Sequence, residues 1–226
     1  MKITIIGTGY VGLVSGICLA VKGHVVTCVD KNESIVKSLR SGKATIFENG
    51  IEKVLSSAID QKNFFVTSDL NKALEGVEVV IIAVGTPYAN GKIDLTYLLE
   101  ATRQIGSYIL NNEQYLTVVI KSTVIPGTTD TVVREEIEKI SKKKLGEFGL
   151  GMNPEFLREG DAINDFMFPD RIVLGYEDYK TLSILEEIYA PWDSEKIKVN
   201  TRTAELIKYA NNSLLATQIS AVNEIA

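Results

Sequence analysis

Short apolar runs alternate along this chain with longer segments whose apolar residues recur at helical spacing. The runs are rich in Val and Ile, which is typical of strands buried on both faces of a parallel sheet, and the segments between them supply crossover helices. The predicted strands are Ile3–Ile6, Val25–Val29, Phe64–Thr67, Val79–Val84, Thr117–Ile120, Gly149–Met152 and Ile172–Gly175. The predicted helices are Tyr10–Val21, Glu33–Ser38, Glu52–Ser57, Leu95–Leu110, Thr129–Ile140 and Tyr179–Ile188. The pattern predicts an α/β fold with a doubly wound, mostly parallel sheet and helices on both faces.

The last segment has a different pattern. From about Thr201 to Ala226 the sequence predicts one long helix that contains no glycine or proline. Because no stop signal ends this helix, we expect the chain to be the front part of a longer protein. We therefore expect one domain over residues 1–199 and the beginning of a connecting helical domain over residues 200–226.

Composition narrows the class of protein. The chain has 226 residues, of which 45% are hydrophobic, and this apolar content excludes a disordered protein. The 24 basic residues are outnumbered by 29 acidic ones, so we expect no nucleic-acid partner. No apolar run approaches the ~18 residues of a membrane span, and we expect no membrane partner. Two cysteines make a disulfide framework implausible and favour a cytoplasmic location.

The first predicted turn carries a glycine motif, Gly7-Thr8-Gly9-Tyr10-Val11-Gly12, between a strand and a helix. In such a motif the first glycine permits a tight turn, the second lets the backbone approach a diphosphate, and the third lets the helix pack on the sheet. The second strand leads to Asp30, 18 residues beyond Gly12, where a carboxylate can accept hydrogen bonds from a ribose diol and repel a 2′-phosphate. The motif therefore predicts a Rossmann-type dinucleotide site that favours NAD over NADP, although the neighbouring Lys31 weakens this preference.

Three later strands end in unusual sequences. These are Gly85-Thr86-Pro87, Lys121-Ser122-Thr123 and the run from Asn153 to Gly160. Ligands of doubly wound sheets lie outside the carboxyl ends of the strands, so we expect these segments to line the site.

Removal of a hydride from an alcohol needs a group that takes the hydroxyl proton. The single histidine, His24, begins the second strand on the opposite rim and is expected to be structural. Glu155 and Glu159 are four residues apart and would both face the crevice if their turn is helical. Each carboxylate would then raise the pKa of the other, which suits proton transfer.

The final helix offers a second polar pair. Lys208 and Asn212 share one helix face with the apolar residues Leu215, Ala216 and Ile219. A lysine and an amide on a core-facing stripe need a polar partner, and an oxyanion formed during hydride transfer would provide one. Cys18 and Cys28 fall inside a helix and a strand, so we expect both to be small buried side chains rather than nucleophiles. No spacing indicates a metal site.

Seven segments carry a family resemblance: GTGYVGLVSG, the strand that ends at Asp30, VGTP, KSTVIPGT, NPEFLREGDAINDF, PDRIVLG and AELIKYANN. Together they resemble the UDP-glucose/GDP-mannose dehydrogenase family, and most closely its UDP-glucose-oxidising members. The resemblance implies oxidation of the sixth carbon of a nucleotide sugar to a carboxylate with two NAD. It also implies a homodimer formed through the full central helical region.

The resemblance assigns roles by motif. Thr123 and Glu155 would position catalytic water or transfer a proton, and Lys208 and Asn212 would stabilise the oxyanion. Glu159 would contact both the nicotinamide part and the sugar. The implied cofactor-binding residues are Gly7, Gly9, Tyr10, Val11, Gly12, Asp30, Thr86, Ser122, Thr123 and Glu159. The implied sugar-binding residues are Glu155, Phe156, Leu157, Arg158, Glu159, Lys208 and Asn212.

The sequence also departs from the family. Members carry a catalytic cysteine and a second nucleotide-binding domain after the long helix, and neither lies within these 226 residues, so we expect this chain alone to be inactive. The E-P-G of the family is Glu48-Asn49-Gly50 here, and Ile35 replaces a basic residue after the ribose-binding acid. The open alternatives are GDP-mannose or UDP-N-acetylmannosamine as substrate, a single-step β-hydroxyacid dehydrogenase, and a cofactor-binding module without catalysis.

Overall fold

The computed structural model describes residues 1–89 and 91–225 and is built around an eight-stranded sheet. Ala226, the last residue of the predicted final helix, lies outside the described residues. The strands are β1 (Lys2–Ile6), β2 (Val25–Val29), β3 (Phe64–Thr67), β4 (Val79–Ile82), β5 (Tyr88–Ala89), β6 (Lys92–Ile93), β7 (Thr117–Ile120), β8 (Gly149–Met152), β9 (Arg171–Tyr176) and β10 (Glu195–Val199). The helices are α1 (Tyr10–Val21), α2 (Glu33–Arg40), α3 (Ile51–Asp60), α4 (Leu70–Leu74), α5 (Thr96–Leu110), α6 (Arg134–Ser141), α7 (Ala162–Met167), α8 (Tyr179–Ile188) and α9 (Thr201–Ile225).

The order of the strands in the large sheet is β10-β9-β8-β7-β4-β1-β2-β3, while β5 and β6 form a separate hairpin. Every neighbouring pair in the large sheet is parallel except β8 and β9, which pair antiparallel. The chain starts at β1 in the middle, winds outward to β3, and then returns to β4 on the other side of β1. This reversal places a crevice at the carboxyl ends of β1 and β4, and the predicted doubly wound fold is confirmed.

The sheet is covered on both faces by apolar clusters. The residues of α1, α3, α7 and α8 pack on one face, and those of α4, α5 and α6 pack on the other. The central strands β4 and β7 are buried at every residue, which explains why their sequences are uninterrupted apolar runs.

The predicted helix Thr129–Ile140 is wrong in its first half. Residues Thr128–Val133 form a π-helical turn, and α6 begins only at Arg134. The carboxylate of Glu205 from α9 accepts hydrogen bonds from the N–H groups of Gly127, at 2.5 Å, and Thr129, at 2.7 Å. The carboxylate of Glu205 therefore caps the start of this segment, whose first amide groups have no partner within the turn.

Helix α9 begins against the sheet and then leaves it. Thr201, Ala204, Glu205 and Lys208 are buried, whereas the side chains from Asn212 onward are exposed. Within the described residues no helix combines the length and the apolar character that crossing a membrane requires.

Candidate functional site

The entrance to α1 is shaped by two close backbone approaches. Gly7 has a φ of +97°, a conformation that favours glycine, and a Cβ there would lie 2.7 Å from the carbonyl oxygen of Ala83. A Cβ at Gly12 would lie 2.0 Å from the carbonyl oxygen of Gly7. Both glycines are therefore required for α1 to start this close to β1 and β4, as the motif predicts.

The first turn of α1 leaves hydrogen-bond donors free. Gly9 caps the helix without a side-chain hydrogen bond, and a Cβ built on it would meet no atom within 4 Å. Among the described residues, the N–H groups of Tyr10, Val11 and Gly12 have no protein acceptor. Free amides, open space and the positive end of a helix suit a diphosphate, so this entrance fits the diphosphate of a dinucleotide.

Asp30 lies beside the glycine turn, where the motif predicts it. Its carboxylate accepts hydrogen bonds from the N–H of Thr8 at 3.2 Å, the hydroxyl of Thr8, and the N–H of Asn32 at 2.9 Å. The carboxylate therefore also supports the turn, a role that the motif does not indicate. The neighbouring Lys31 forms an ion pair with Glu100, and both residues line the same cleft as Asp30.

A cleft of about 280 Å³ opens at the carboxyl ends of β1, β2 and β4. Gly7, Gly9, Asp30, Gly85 and Tyr97 are among its lining residues. The structure thus brings the predicted diphosphate and ribose contacts together in one space.

Hydrogen bonds from side-chain hydroxyl groups join the segment that follows β4 to the segment that follows β7. The hydroxyl of Thr86 donates to the carbonyl oxygen of Thr123 at 2.6 Å, and that of Ser122 donates to the carbonyl oxygen of Val84 at 2.7 Å. These two bonds hold the two segments together at the carboxyl ends of the strands. Thr123 is half-buried, and its hydroxyl has no protein partner within residues 1–89 and 91–225, so it is free to bind a ligand or water.

The predicted pair of carboxylates does not form. Residues 153–158 are not helical, and Glu159 is exposed in a turn. Glu155 instead forms an ion pair with Lys208, with 2.8 Å between Oε1 and Nζ, and its Oε2 accepts a hydrogen bond from the N–H of Leu157 at 2.7 Å. The extended segment places Glu155 beside α9, and the buried ammonium group of Lys208 binds its carboxylate.

The predicted polar pair of α9, Lys208 and Asn212, is divided between buried and exposed surroundings. The side chain of Lys208 is 7% exposed and that of its partner Glu155 is 12% exposed. Asn212 is exposed, and Leu215 and Ile219, predicted to continue a core-facing stripe, are 53% and 54% exposed. The stripe faces the core only as far as Lys208, because α9 leaves the sheet after that residue.

Phe156, Leu157 and Arg158 line a second cleft, of about 250 Å³, together with Glu155 and Arg171. The guanidinium group of Arg171 lies 4.8 Å from the centre of the Phe156 ring. Arg158 is bound by carboxylates of its own segment: its Nη2 lies 2.6 Å from Asp165 Oδ1 and 3.0 Å from Asp161 Oδ2. Arg158 therefore orders this loop as well as lining the cleft.

Sequence reasoning missed a buried polar cluster below Glu155. The Nζ of Lys121 donates to Asn153 Oδ1 at 2.8 Å, and the hydroxyl of Tyr189 donates to the same oxygen. Asn153 in turn donates to the carbonyl oxygen of Val173 at 2.9 Å. The pKa of Lys121 is lowered to about 8, mainly by burial; Glu155 opposes this shift and the positive charge of Lys208 contributes to it. A lysine that directly ends an apolar strand was the available signal for this cluster.

The pKa of Lys121 makes the stability of the chain depend on pH. In the unfolded chain Lys121 titrates near its usual pKa of 10.5, so between about pH 8 and 10.5 the unfolded state binds more protons and stability rises with pH. We expect the free energy of unfolding of the native chain, relative to that of Lys121→Met, to rise by roughly 2 to 3 kcal/mol from pH 7 to pH 10. Urea unfolding at several pH values measures both curves, and parallel curves would contradict the assignment.

The two cysteines and the histidine are structural groups. Burial raises the pKa of Cys18 to about 12 and also raises the pKa of Cys28, so neither thiol ionises near neutral pH. His24 is buried, its Nε2 lies 2.9 Å from the carbonyl oxygen of Ile188, and burial lowers its pKa. In the part of the chain that the structure describes, no group of His, Cys, Asp and Glu side chains is arranged to hold a metal ion.

Comparison with known proteins agrees with this geometry. Residues 1–193 match the model of the UDP-glucose/GDP-mannose dehydrogenase family, NAD binding domain. The chain is 42% identical to the UDP-glucose 6-dehydrogenase TuaD of Bacillus subtilis, and the match covers 100% of this chain and 48% of that protein. The chain spans about half the length of the curated relatives it matches.

Solved structures show the same fold. A ternary complex of GDP-mannose dehydrogenase from Pseudomonas aeruginosa superposes with a TM-score of 0.96 at 42% identity, over 100% of this chain and 52% of that one. A UDP-glucose dehydrogenase from Pyrobaculum islandicum gives a TM-score of 0.94 at 40% identity, over 99% of this chain and 51% of that one. The glycine-lined entrance, the acid at Asp30 and these matches lead to one conclusion: the chain belongs to the UDP-glucose/GDP-mannose dehydrogenase family and contains its NAD-binding domain.

Proposed function

We propose that this chain supplies the NAD site and part of the sugar site of an enzyme that oxidises the C6 alcohol of UDP-glucose to the carboxylate of UDP-glucuronate, with two NAD. Family membership supports nucleotide-sugar oxidation. The observation that carries the chemistry is the buried ion pair of Glu155 and Lys208 at the carboxyl end of β8, on the rim where the cofactor cleft also opens.

The cofactor is held by the first turn of the fold. The free amides of Tyr10, Val11 and Gly12 bind the diphosphate, and Gly7 and Gly9 leave room for it. Asp30 accepts from the ribose hydroxyls, while Thr86, Ser122, Thr123 and Glu159 line the nicotinamide side. NAD held there would supply the hydride acceptor for the oxidation at C6.

The protein groups around the sugar handle the proton and the charge. Lys208, a buried ammonium group already paired with a carboxylate, stabilises the negative charge that develops on the C6 oxygen. Glu155, with water positioned by the free hydroxyl of Thr123, takes the hydroxyl proton. Asn212 and the Phe156–Glu159 loop complete the sugar contacts.

The second oxidation needs a nucleophile that this chain does not supply from its own cysteines. Both Cys18 and Cys28 are buried thiols with raised pKa values. We therefore propose that the 226 residues alone are inactive in forming the uronate. Residues 1–199 act as the NAD-binding domain, and residues 200–226 begin a central helical domain through which two copies dimerise.

GDP-mannose is the second candidate substrate, because the chain is 42% identical both to TuaD and to the Pseudomonas aeruginosa GDP-mannose dehydrogenase. UDP-N-acetylmannosamine, a single-step β-hydroxyacid oxidation and a cofactor-binding module without catalysis stay as further alternatives.

Two measurements test the proposal. Calorimetric titration of the chain with NAD, NADH and NADP should show binding of the first two and weaker binding of NADP. NADH formation should then be assayed with UDP-glucose, GDP-mannose and UDP-N-acetylmannosamine, using the chain alone and the complete product of its gene. We expect two NADH per UDP-glucose from the complete product and none from the chain alone. A complete product that binds NAD but oxidises no nucleotide sugar would instead support the cofactor-binding module.

A further inference from the structure

Glu48 is a buried carboxylate that joins three separate segments of the chain. Its side chain lies in the loop after α2 and the residue is only 4% exposed. Its Oε2 accepts from the hydroxyl of Tyr10 and from the N–H of Gly160 at 3.0 Å, and its Oε1 accepts from the N–H of Ala162 at 3.0 Å. Within the described part of the chain no cation pairs with Glu48, so these neutral donors alone stabilise the buried charge.

The three donors come from the two halves of the candidate site. Tyr10 is the first residue of α1, and its own backbone N–H is one of the free amides at the diphosphate position. Gly160 ends the loop that carries Glu155 to Glu159, and Ala162 begins α7. The N–H of Gly160 is also 2.9 Å from the Tyr10 hydroxyl, so Tyr10, Glu48 and Gly160 form a closed triangle of hydrogen bonds.

The protonation state of Tyr10 suits its hydrogen bond to Glu48. Burial, reinforced by the hydrogen bond to Glu48, raises the pKa of Tyr10 to about 12. The tyrosine hydroxyl therefore stays protonated at neutral pH and donates a hydrogen bond to the carboxylate.

We propose that Glu48 is a positioning residue through which NAD at the entrance of α1 holds the loop of Glu155–Glu159 in place. A ligand that binds only the closed arrangement raises the free energy of opening by an amount that grows with ligand concentration. Loop opening breaks the triangle at Tyr10, the residue that also contributes an amide to the diphosphate, so bound NAD opposes it. The coupling is reciprocal, so an ordered loop also strengthens NAD binding.

This inference needs NAD binding but not sugar oxidation, so it stands or falls separately from the proposed substrate. Amide hydrogen exchange of Gly160 and Ala162, measured by NMR on the 226-residue chain with and without saturating NAD, reports opening of the loop. In the native chain we expect NAD to slow exchange at both amides at least tenfold.

Three variants separate coupling from simple structural support. Tyr10→Phe removes the bonds of the tyrosine hydroxyl to Glu48 and to the N–H of Gly160 and keeps the bonds of Glu48 to the loop. Exchange of Ala162 without NAD should therefore stay close to that of the native chain, and the effect of NAD on it should fall below twofold. Glu48→Gln should speed exchange at both amides and abolish the effect of NAD. The matched control is Asp178→Asn, which alters a carboxylate that accepts the N–H of Thr181 at the start of α8 and has no bond to α1 or the loop.

Asp178→Asn should keep the full effect of NAD. The proposal is overturned if saturating NAD, confirmed by calorimetry on the same samples, leaves the native amides unchanged. It is also overturned if Tyr10→Phe retains the tenfold effect, because the link would then not pass through the tyrosine hydroxyl.

Discussion

Gly9→Ala and Gly12→Ala should separate cofactor binding from folding. We expect Gly12→Ala to lower the free energy of unfolding by about 3 kcal/mol or more, because the added Cβ would lie 2.0 Å from the carbonyl oxygen of Gly7 and the backbone must move. Gly9→Ala should cost less than about 1 kcal/mol, because its Cβ meets no atom within 4 Å and its φ of −66° suits alanine.

Gly9→Ala should instead act on NAD binding. In Gly9→Ala the new methyl group takes the space above the free amides of α1, so we expect NAD affinity to fall at least tenfold while the protein remains folded. Urea unfolding and calorimetric titration with NAD measure the two quantities on the same samples. If Gly9→Ala binds NAD like the native chain, the diphosphate does not lie over Gly9. If Gly12→Ala is as stable as the native chain, the close contact between α1 and the glycine turn is not required.

Much of the sheet could be predicted because its central strands are buried on both faces. The segments that form β4 and β7 are uninterrupted apolar runs, and the glycine motif fixes the turn that follows β1. β10, Glu195–Val199, was missed because it is an edge strand with alternating charged residues that are mostly half-buried or exposed. Such a strand shows no continuous apolar run, so its sequence alone did not separate it from a loop.

The parts of the site that escaped prediction depend on contacts between distant segments. The start of the π-helical turn Thr128–Val133 is capped by the carboxylate of Glu205, which lies more than 70 residues away in sequence. The predicted pair of Glu155 and Glu159 assumed a local helix, whereas the fold places Lys208 beside Glu155. The spacing of residues singled out Glu155 and Glu159 as a candidate polar pair. Only the packing of α9 against the end of β8 determines that Glu155 binds Lys208 instead.

The electrostatics of the site follow from this packing. Glu155 and Lys208 lie close enough to Lys121 for the carboxylate to raise its pKa and for the ammonium group to lower it. Two ammonium groups and one carboxylate leave a net positive region among buried groups at the end of β8. A developing alkoxide would be stabilised there, which makes the removal of either partner of the ion pair a direct test of the site.

Lys208→Met should be among the most destabilising substitutions of a charged residue in the chain. The Glu155 carboxylate, 12% exposed, would lose its partner at 2.8 Å, and the removal of one member of a buried ion pair costs roughly 3–5 kcal/mol. Glu155→Met should cost a similar amount, because it leaves the ammonium group of Lys208 unpaired and also removes the hydrogen bond to the N–H of Leu157. The double variant should recover much of the loss, because two apolar side chains of similar volume leave no buried charge.

The matched control, Arg202, lies six residues earlier on the same helix. Arg202 pairs with Asp130 at 2.8 Å, but its side chain is 57% exposed, so Arg202→Met should cost less than about 1 kcal/mol. Urea unfolding of the single and double variants gives the coupling energy, and an additive double variant would contradict a direct interaction.

Lys208 lies outside the cleft of Gly9 and Asp30, so the NAD affinity of Lys208→Met should change less than twofold. Under the proposed function, Lys208→Met should remove most of the turnover with a nucleotide sugar, because the alkoxide would lose the ammonium group that pairs with Glu155. Retained turnover would exclude the oxyanion role.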